Sequence, residues 1–193
     1  TSWLGGVVQG DFGVSSLSGR SVWDSLTQAT PPTLSITLVA TVIAIAIGVS
    51  LGGFAGLRPG RLSDRVASLL TTVGIAMPSF WVGMILVSFF ALDKGWLPAT
   101  GYAPLSDGFV EWLRHIILPA LALGLAMTAE IARKTRSGVI GVMEQPYIRT
   151  ARAKGASSTV LIRRHVMRNA AIPVVTVLGL QIGRLLGGVI VVE

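Results

Sequence analysis

The chain has 193 residues, 51% of them hydrophobic and only 13% charged, with a net charge of +7. A soluble domain carries about twice that share of charge, and a mean hydropathy of +0.70 leaves too little polar surface to cover a water-facing globule, so the first reading is a membrane protein. The absence of cysteine excludes a disulfide framework, a thiol nucleophile and a thiolate metal site, and two histidines, His115 and His165, make a histidine metal site a poor reading.

In chain order, the segment before Thr33 holds one Arg and two Asp. Thr33 to Leu57 contains no charge; as a helix it would extend on the order of 37 Å, enough to cross a hydrocarbon core of about 30 Å with some tilt. Gly48, Gly52 and Gly56 recur on it every four residues. Val66 to Leu92 is a second uncharged run, interrupted at Pro78 in "AMPSFW", where a spanning helix would kink or break. Ile116 to Ala132 is a third span, with Glu130 near its end. Ala170 to Val192 is a fourth; it contains Gln181 and Arg184 and a second glycine stripe, Gly179, Gly183 and Gly187. Such stripes let helices approach closely, either within one subunit or against a second membrane subunit.

The connections alternate in charge. The first holds Arg58, Arg61 and Arg65; the second, from Asp93 to Arg114, is nearly neutral; the third, from Arg133 to Arg168, holds nine Lys or Arg and one acid, Glu144. Basic loops stay in the cytoplasm, which places the first and third loops inside and the N-terminal segment and "KGWLPATGYAPLSDGFVEW" outside. Trp96, Tyr102 and Trp112 suit a membrane interface there. A charge bias explained by topology needs no polyanion, so nucleic acid is not an expected partner. The sequence shows no phosphate-cradling GxxxxGK[ST], no HExxH and no GxSxG, and the expectation is a non-enzyme that binds no cofactor itself. It also lacks the mid-membrane acid usual in proton-coupled transporters, since Glu130 lies close to Arg133 and Lys134.

The third loop has internal order. Met143 to Lys154 is helix-forming, with Pro146 at a first-turn position. Gly155 punctuates, and Ser157 or Ser158 can cap the next helix. Thr159 to Arg168 reads as that second short helix, with Val160, Leu161 and Arg164 on one side. Small residues, Ala151 and Ala156, flank the turn.

Tyr147 to Pro173 resembles the cytoplasmic loop of binding-protein-dependent ABC importer permeases. Against the family's general EAA–glycine–IxLP pattern, Arg149, Thr150 and Ala151 stand at EAA, and only Ala151 and Gly155 are kept. The similarity is much closer to the first permease of the oligopeptide, dipeptide and nickel branch, which reads "Y-[VI]-R-T-A-R-A-K-G" and then "RH-x-x-RNA-x-IP". "GDFGVS" (residues 10–15), "PPTLSITL" (31–38), "IAMPSFWVG" (75–83), "GWLPATGY" (95–102), "ILPALALG" (117–124) and "VTVLGLQIGRLLGGVIVVE" (175–193) extend the likeness over nearly the whole chain.

The resemblance implies an all-α transmembrane bundle of the type I ABC importer kind, with about four spans in this chain and the family's first and last spans missing. Within one permease domain, 1–193, residues 1–32 would be extracytoplasmic, 33–132 spans with loops, 133–169 the cytoplasmic coupling loop and 170–193 the last span. It implies a multi-pass bacterial inner-membrane subunit importing di- or oligopeptides. The implied partners are a second related permease, two cytoplasmic ATPases that bind ATP–Mg, an external substrate-binding protein and membrane lipid. Tyr147, Arg149, Thr150, Ala151, Arg152, Lys154, Gly155 and Ala156 would form the ATPase-coupling loop, with the alanines small enough for close docking. Pro78, Ser79, Gln181 and Arg184 are candidates for the translocation path. For Arg184, the alternative is a charge that pairs with another helix or snorkels. The competing readings are an ATPase-independent transporter or channel unit, a membrane scaffold, or an ABC permease for nickel, glutathione or another small solute.

Overall fold

The computed structural model describes residues 6–7, 10, 12–15 and 19–192, with side chains through residue 184. Asp11 of "GDFGVS" lies outside the described residues, and Gly187 of the second glycine stripe lies beyond the described side chains. Among the described residues the chain is helical, with a lone bridge between Val14 and Ser21 in place of any strand.

Helix α1 runs over Val22–Gly56. It starts well before Thr33 because Ser21 supplies an N-cap, its Oγ accepting from the Asp24 amide at 3.4 Å, with Asp24 favourably placed in the first turn. The expected outer segment is therefore partly helix. Pro31 and Pro32 lie inside α1 without ending it. Its buried stripe is made of small residues: Thr37, Ala40, Ala44, Gly48, Gly52 and Gly56.

That stripe closes on α4, Phe109–Met143. A methyl on Gly48 would lie 2.9 Å from the Thr128 carbonyl, one on Gly56 would lie 2.8 Å from Val139 Cβ, and one on Gly52 would overlap the Ala132 carbonyl. Gly124 in turn faces the Ala40 backbone. The partners rise together along both helices, so α1 and α4 run parallel at backbone-to-backbone range. The first glycine stripe is thus an internal packing surface, one of the two alternatives the spacing left open.

Parallel neighbours need a return path, and the second uncharged run provides it in two pieces. Helix α2 covers Leu62–Ala76; helix α3 covers Ser79–Leu86 and continues as a π-helical turn over Val87–Asp93. The two are bent by 97° at the break. Pro78 causes it: a proline pushes the residue before it into extended backbone, and Met77 sits at φ −79°, ψ 125°.

After α4, helix α5 spans Pro146–Ala153 and helix α6 spans Ser158–Leu161. A π-helical turn, Ile162–Val166, joins α6 to α7, Met167–Val192. The expected second short helix is thus the start of the last span: Ser158–Arg184 forms one helical run of 27 residues. Its inward face carries Leu161, Val166 and Ala170, whereas Val160 and Arg164 are exposed, which corrects the expected grouping. α7 lies antiparallel on α4; Ala170 meets Gly138.

Two apolar clusters hold these helices. One joins α1, α4 and α7 through Ala40, Ala44, Met127, Ile131 and Val174. The other lies at the basic end, around Ile148. The opposite faces of α1, α2 and α3 expose Leu38, Val42, Leu69, Val73, Phe80 and Met84, apolar side chains suited to lipid rather than water. Among the described residues, three helices are long and apolar enough to cross a membrane, and four if the broken pair is one span.

At the end away from the basic loops, Ser35 ties α1 to the 94–108 connection and to α4. Its Oγ accepts from Trp112 Nε1 at 3.1 Å and bonds the Tyr102 hydroxyl at 3.1 Å. Trp112 is buried and Trp96 exposed. Of the three aromatics expected at an interface, Trp96 is exposed, Tyr102 half-buried and Trp112 buried, and the last two also bridge to α1 through Ser35.

Candidate functional site

The basic end is built around α5. Gln145 turns the chain between α4 and α5 in extended backbone, and Pro146 occupies the first turn, where its missing amide costs nothing. The helix ends in a Schellman motif: the Ala156 amide donates to the Ala151 carbonyl at 3.1 Å, and the Gly155 amide to the Arg152 carbonyl at 3.0 Å. That motif requires a left-handed residue just past the helix, and Gly155 stands at φ +83°. Ser157 then caps α6, its Oγ accepting from the Val160 amide at 3.5 Å.

This helix–turn–helix is seated, not dangling. Ile148 is buried in a cluster with Val139 of α4, Leu161, Val166 and Ala170, and Ala151 and Ala156 pack against the same cluster. Both alanines are therefore half-buried, closing the hydrophobic contact that accompanies a Schellman turn. Each keeps part of its surface exposed beside the outward face. Tyr147 adds a clamp: its hydroxyl accepts from Asn169 Nδ2 at 3.1 Å, and its ring lies 6.4 Å from that of His165. Arg149, Thr150, Arg152, Ala153, Lys154 and Gly155 face outward. None of the three cations forms an ion pair among the described residues, and the surface they form is rigid, basic and small-featured.

The structure brings Tyr147 through Ala156 into one unit but does not join the four path candidates to one another. Pro78 and Ser79 stand at the break. Ser79 borders an apolar cavity of about 320 Å³, lined by residues such as Leu51, Gly74, Val82, Ala122 and Ala129. Gln181 lies elsewhere, on α7, and its amide donates to the Glu130 carboxylate. Glu130 thus serves as a tie between α4 and α7, a role that proximity to Arg133 and Lys134 did not suggest. Arg184, one turn beyond Gln181, is exposed and makes no ion pair with the described residues. Gly179 and Gly183 on the same helix meet nothing within 4 Å.

Sequence reasoning also missed an ion pair between helices. Asp64, 3% exposed, accepts from the Gly60 amide at 2.8 Å and from Arg136 Nη2 at 2.9 Å, and also bonds Arg136 Nε. The signal was present: Asp64 is the lone acid in "RPGRLSDR", where topology alone calls for none. Among the described residues no group of three His, Cys, Asp or Glu converges on a metal position.

Comparison with known proteins gives this geometry a context. Residues 48–193 match the family described as "Binding-protein-dependent transport system inner membrane component". The chain is 44% identical over 187 residues to the "Glutathione transport system permease protein GsiC" of Salmonella choleraesuis (strain SC-B67), covering 97% of this chain and 58% of that protein. It is 43% identical over 191 residues to the protein of the same name from Escherichia coli (strain K12), covering 99% and 60%. It is 37% identical over 191 residues to the "Probable peptide ABC transporter permease protein y4tP" of Sinorhizobium fredii (strain NBRC 101917 / NGR234), covering 99% and 61%. The chain spans about three fifths of the length of these curated relatives.

Proposed function

The chain belongs to the family of binding-protein-dependent transport system inner membrane components, multi-pass proteins of the bacterial inner membrane, and from that premise we propose that it is a channel-forming subunit of an ATP-driven importer. The observation that supports this reading most directly is the unit from Pro146 to Leu161: a basic face with no acidic partner among the described residues, backed by a sealed apolar cluster. Loose arginines would suffice to set topology. Holding three cations on a seated helix, ended by a Schellman turn, suits a surface that receives force.

The outward face of α5 seats on a cytoplasmic ATPase. Arg149, Arg152 and Lys154 meet acidic side chains there, and Thr150, Ala153 and Gly155 allow close approach. ATP–Mg is bound and hydrolysed by the ATPases, not by this chain. Ile148 passes displacement of α5 to Val139 of α4 and to Val166 and Ala170 of the last span. A second, related permease completes the pathway, and the open Gly179–Gly183 face of α7, flanked by exposed Val175 and Leu180, is the surface we assign to it. An external binding protein supplies cargo.

The cargo we assign is a short peptide. Relatives named for glutathione, itself a tripeptide, and for peptides fall within the same similarity range. Arg184, a cation on the last span with no ion pair among the described residues, is suited to a peptide carboxylate; Arg184→Ala with unchanged uptake selectivity would remove it from the path. Copurification tests the reading as a whole. The wild-type chain should bring down two ATPase subunits, and Gly155→Glu should lose them while the protein stays in the membrane. Uptake at the wild-type rate in that variant contradicts the coupling role.

A further inference from the structure

We propose that Asp64 and Arg136 form a latch that makes α2, the cytoplasmic half of the broken span, move with the α4–α5 lever. The inference rests on the reading of α5 as the ATPase-facing element.

Apart from this pair, helix α2 meets α4 through small residues, with Gly74 close on Ala129. Its buried residues are only Asp64, Ala67 and Thr71, and its opposite face, Leu62, Val66, Leu69 and Val73, is exposed. Ala67 and Thr71 are small and give little resistance to sliding. Among the described residues, Asp64 is the one side chain on α2 that bonds to another helix: Arg136 holds it through both Nε and Nη2. The remaining bond, from the Gly60 amide, closes the turn between α1 and α2, where Gly60 stands at φ +78°. The carboxylate therefore fastens the turn and grips α4 at the same time.

Net stability does not account for such a pair. Removing two charges from water offsets most of their attraction. A guanidinium fork on a carboxylate instead fixes relative position, because two parallel bonds leave little freedom to rotate or slip.

The position of Arg136 connects it to force. It precedes Val139 by one turn of α4, and Val139 packs on Ile148 of α5. A displacement of α5 reaches Arg136 through that contact and reaches α2 through Asp64. From Asp64, α2 rises about 18 Å to the break at Pro78, where Met77 and Ser79 border the apolar cavity. The latch thus links the docking face to the place where the span is discontinuous, and Asp64 and Arg136 are positioning residues for transport.

Two measurements test it. Cysteines placed at exposed Leu69 on α2 and Thr150 on α5, in a full-length protein freed of any other cysteine, can be spin-labelled in nanodiscs, without ATPases. The inter-label distance distribution should be narrow in the wild type and broaden with Asp64→Asn. In the complete reconstituted transporter, uptake of labelled glutathione and of trialanine is read per ATP hydrolysed, a ratio insensitive to the amount of assembled complex. Asp64→Asn and Arg136→Gln should each lower it about ten-fold, a usual size for coupling between sites. The double variant should be no worse than either single, because the pair acts as a unit, and the reversal Asp64→Arg with Arg136→Asp should regain part of the loss. An unchanged distance distribution, wild-type uptake per ATP in the single variants, or losses that multiply in the double variant would each overturn the latch. A wild-type complex without ATP-dependent uptake would defeat the functional reading instead, while the distance measurement would still decide the latch.

Discussion

At Gly155 the backbone is left-handed, and an added side chain would meet nothing within 4 Å, so a substitution acts through strain and through what it presents outward. Gly155→Ala should cost about 1 kcal/mol of local helix-end stability and reduce coupling only in part. Gly155→Glu adds a carboxylate to a face whose charge is positive and should abolish uptake with the protein still inserted. Ile148 makes the contrasting case, being buried beneath that face. Ile148→Ala should cost about 2–5 kcal/mol, seen as faster protease cleavage between Met143 and Ser158. The turn at Gly155, the cap at Ser157 and the first-turn Pro146 were legible in sequence because each rests on local backbone chemistry. The packing of Ala151 and Ala156 against an apolar cluster was not, since it depends on Val139, Val166 and Ala170 arriving from elsewhere in the chain. Asp64 was hidden for the same reason: its partner is 72 positions away.

Helix α1 and the last span carry similar glycine stripes that the structure uses differently. Gly52 lies against the Ala132 backbone, so Gly52→Val should separate α1 from α4 and destabilise the protein by about 1–3 kcal/mol or more, measured as a lower thermal midpoint in detergent. Gly183 faces open space, so Gly183→Val should leave that midpoint unchanged and instead weaken copurification with a second permease. Spacing announced both stripes equally; only the three-dimensional neighbours separate them. The ends of helices were misread for a related reason. Charges at Arg133, Lys134, Arg163, Arg164 and Arg168 looked like loop, yet α4 and the last span continue through them as helix. Pro78 was visible as an interruption, but the 97° size of the turn and the place of Gly83 beside Ala122 of α4 were not.

For the molecule as a whole, parallel α1 and α4 form a rigid pair, joined at the far end by Ser35, Tyr102 and Trp112 and at the basic end by the α5 unit. The all-helical membrane class followed from composition and from the length of uncharged runs, and the two-sided charge pattern followed from topology. A membrane-impermeant thiol reagent should therefore label a cysteine at Thr150 only from the cytoplasmic side and one at Trp96 only from the other. The central claim is that the outward face of α5 is where an ATPase seats. The most direct measurement is site-specific photocrosslinking in native membranes from Arg149, Arg152 and Ala153, set against buried Ile148 and Val139. Docking through that face predicts ATPase adducts from the first three positions and none from the last two. Adducts of equal yield from both faces, or no ATPase adduct from any of the five, would contradict it.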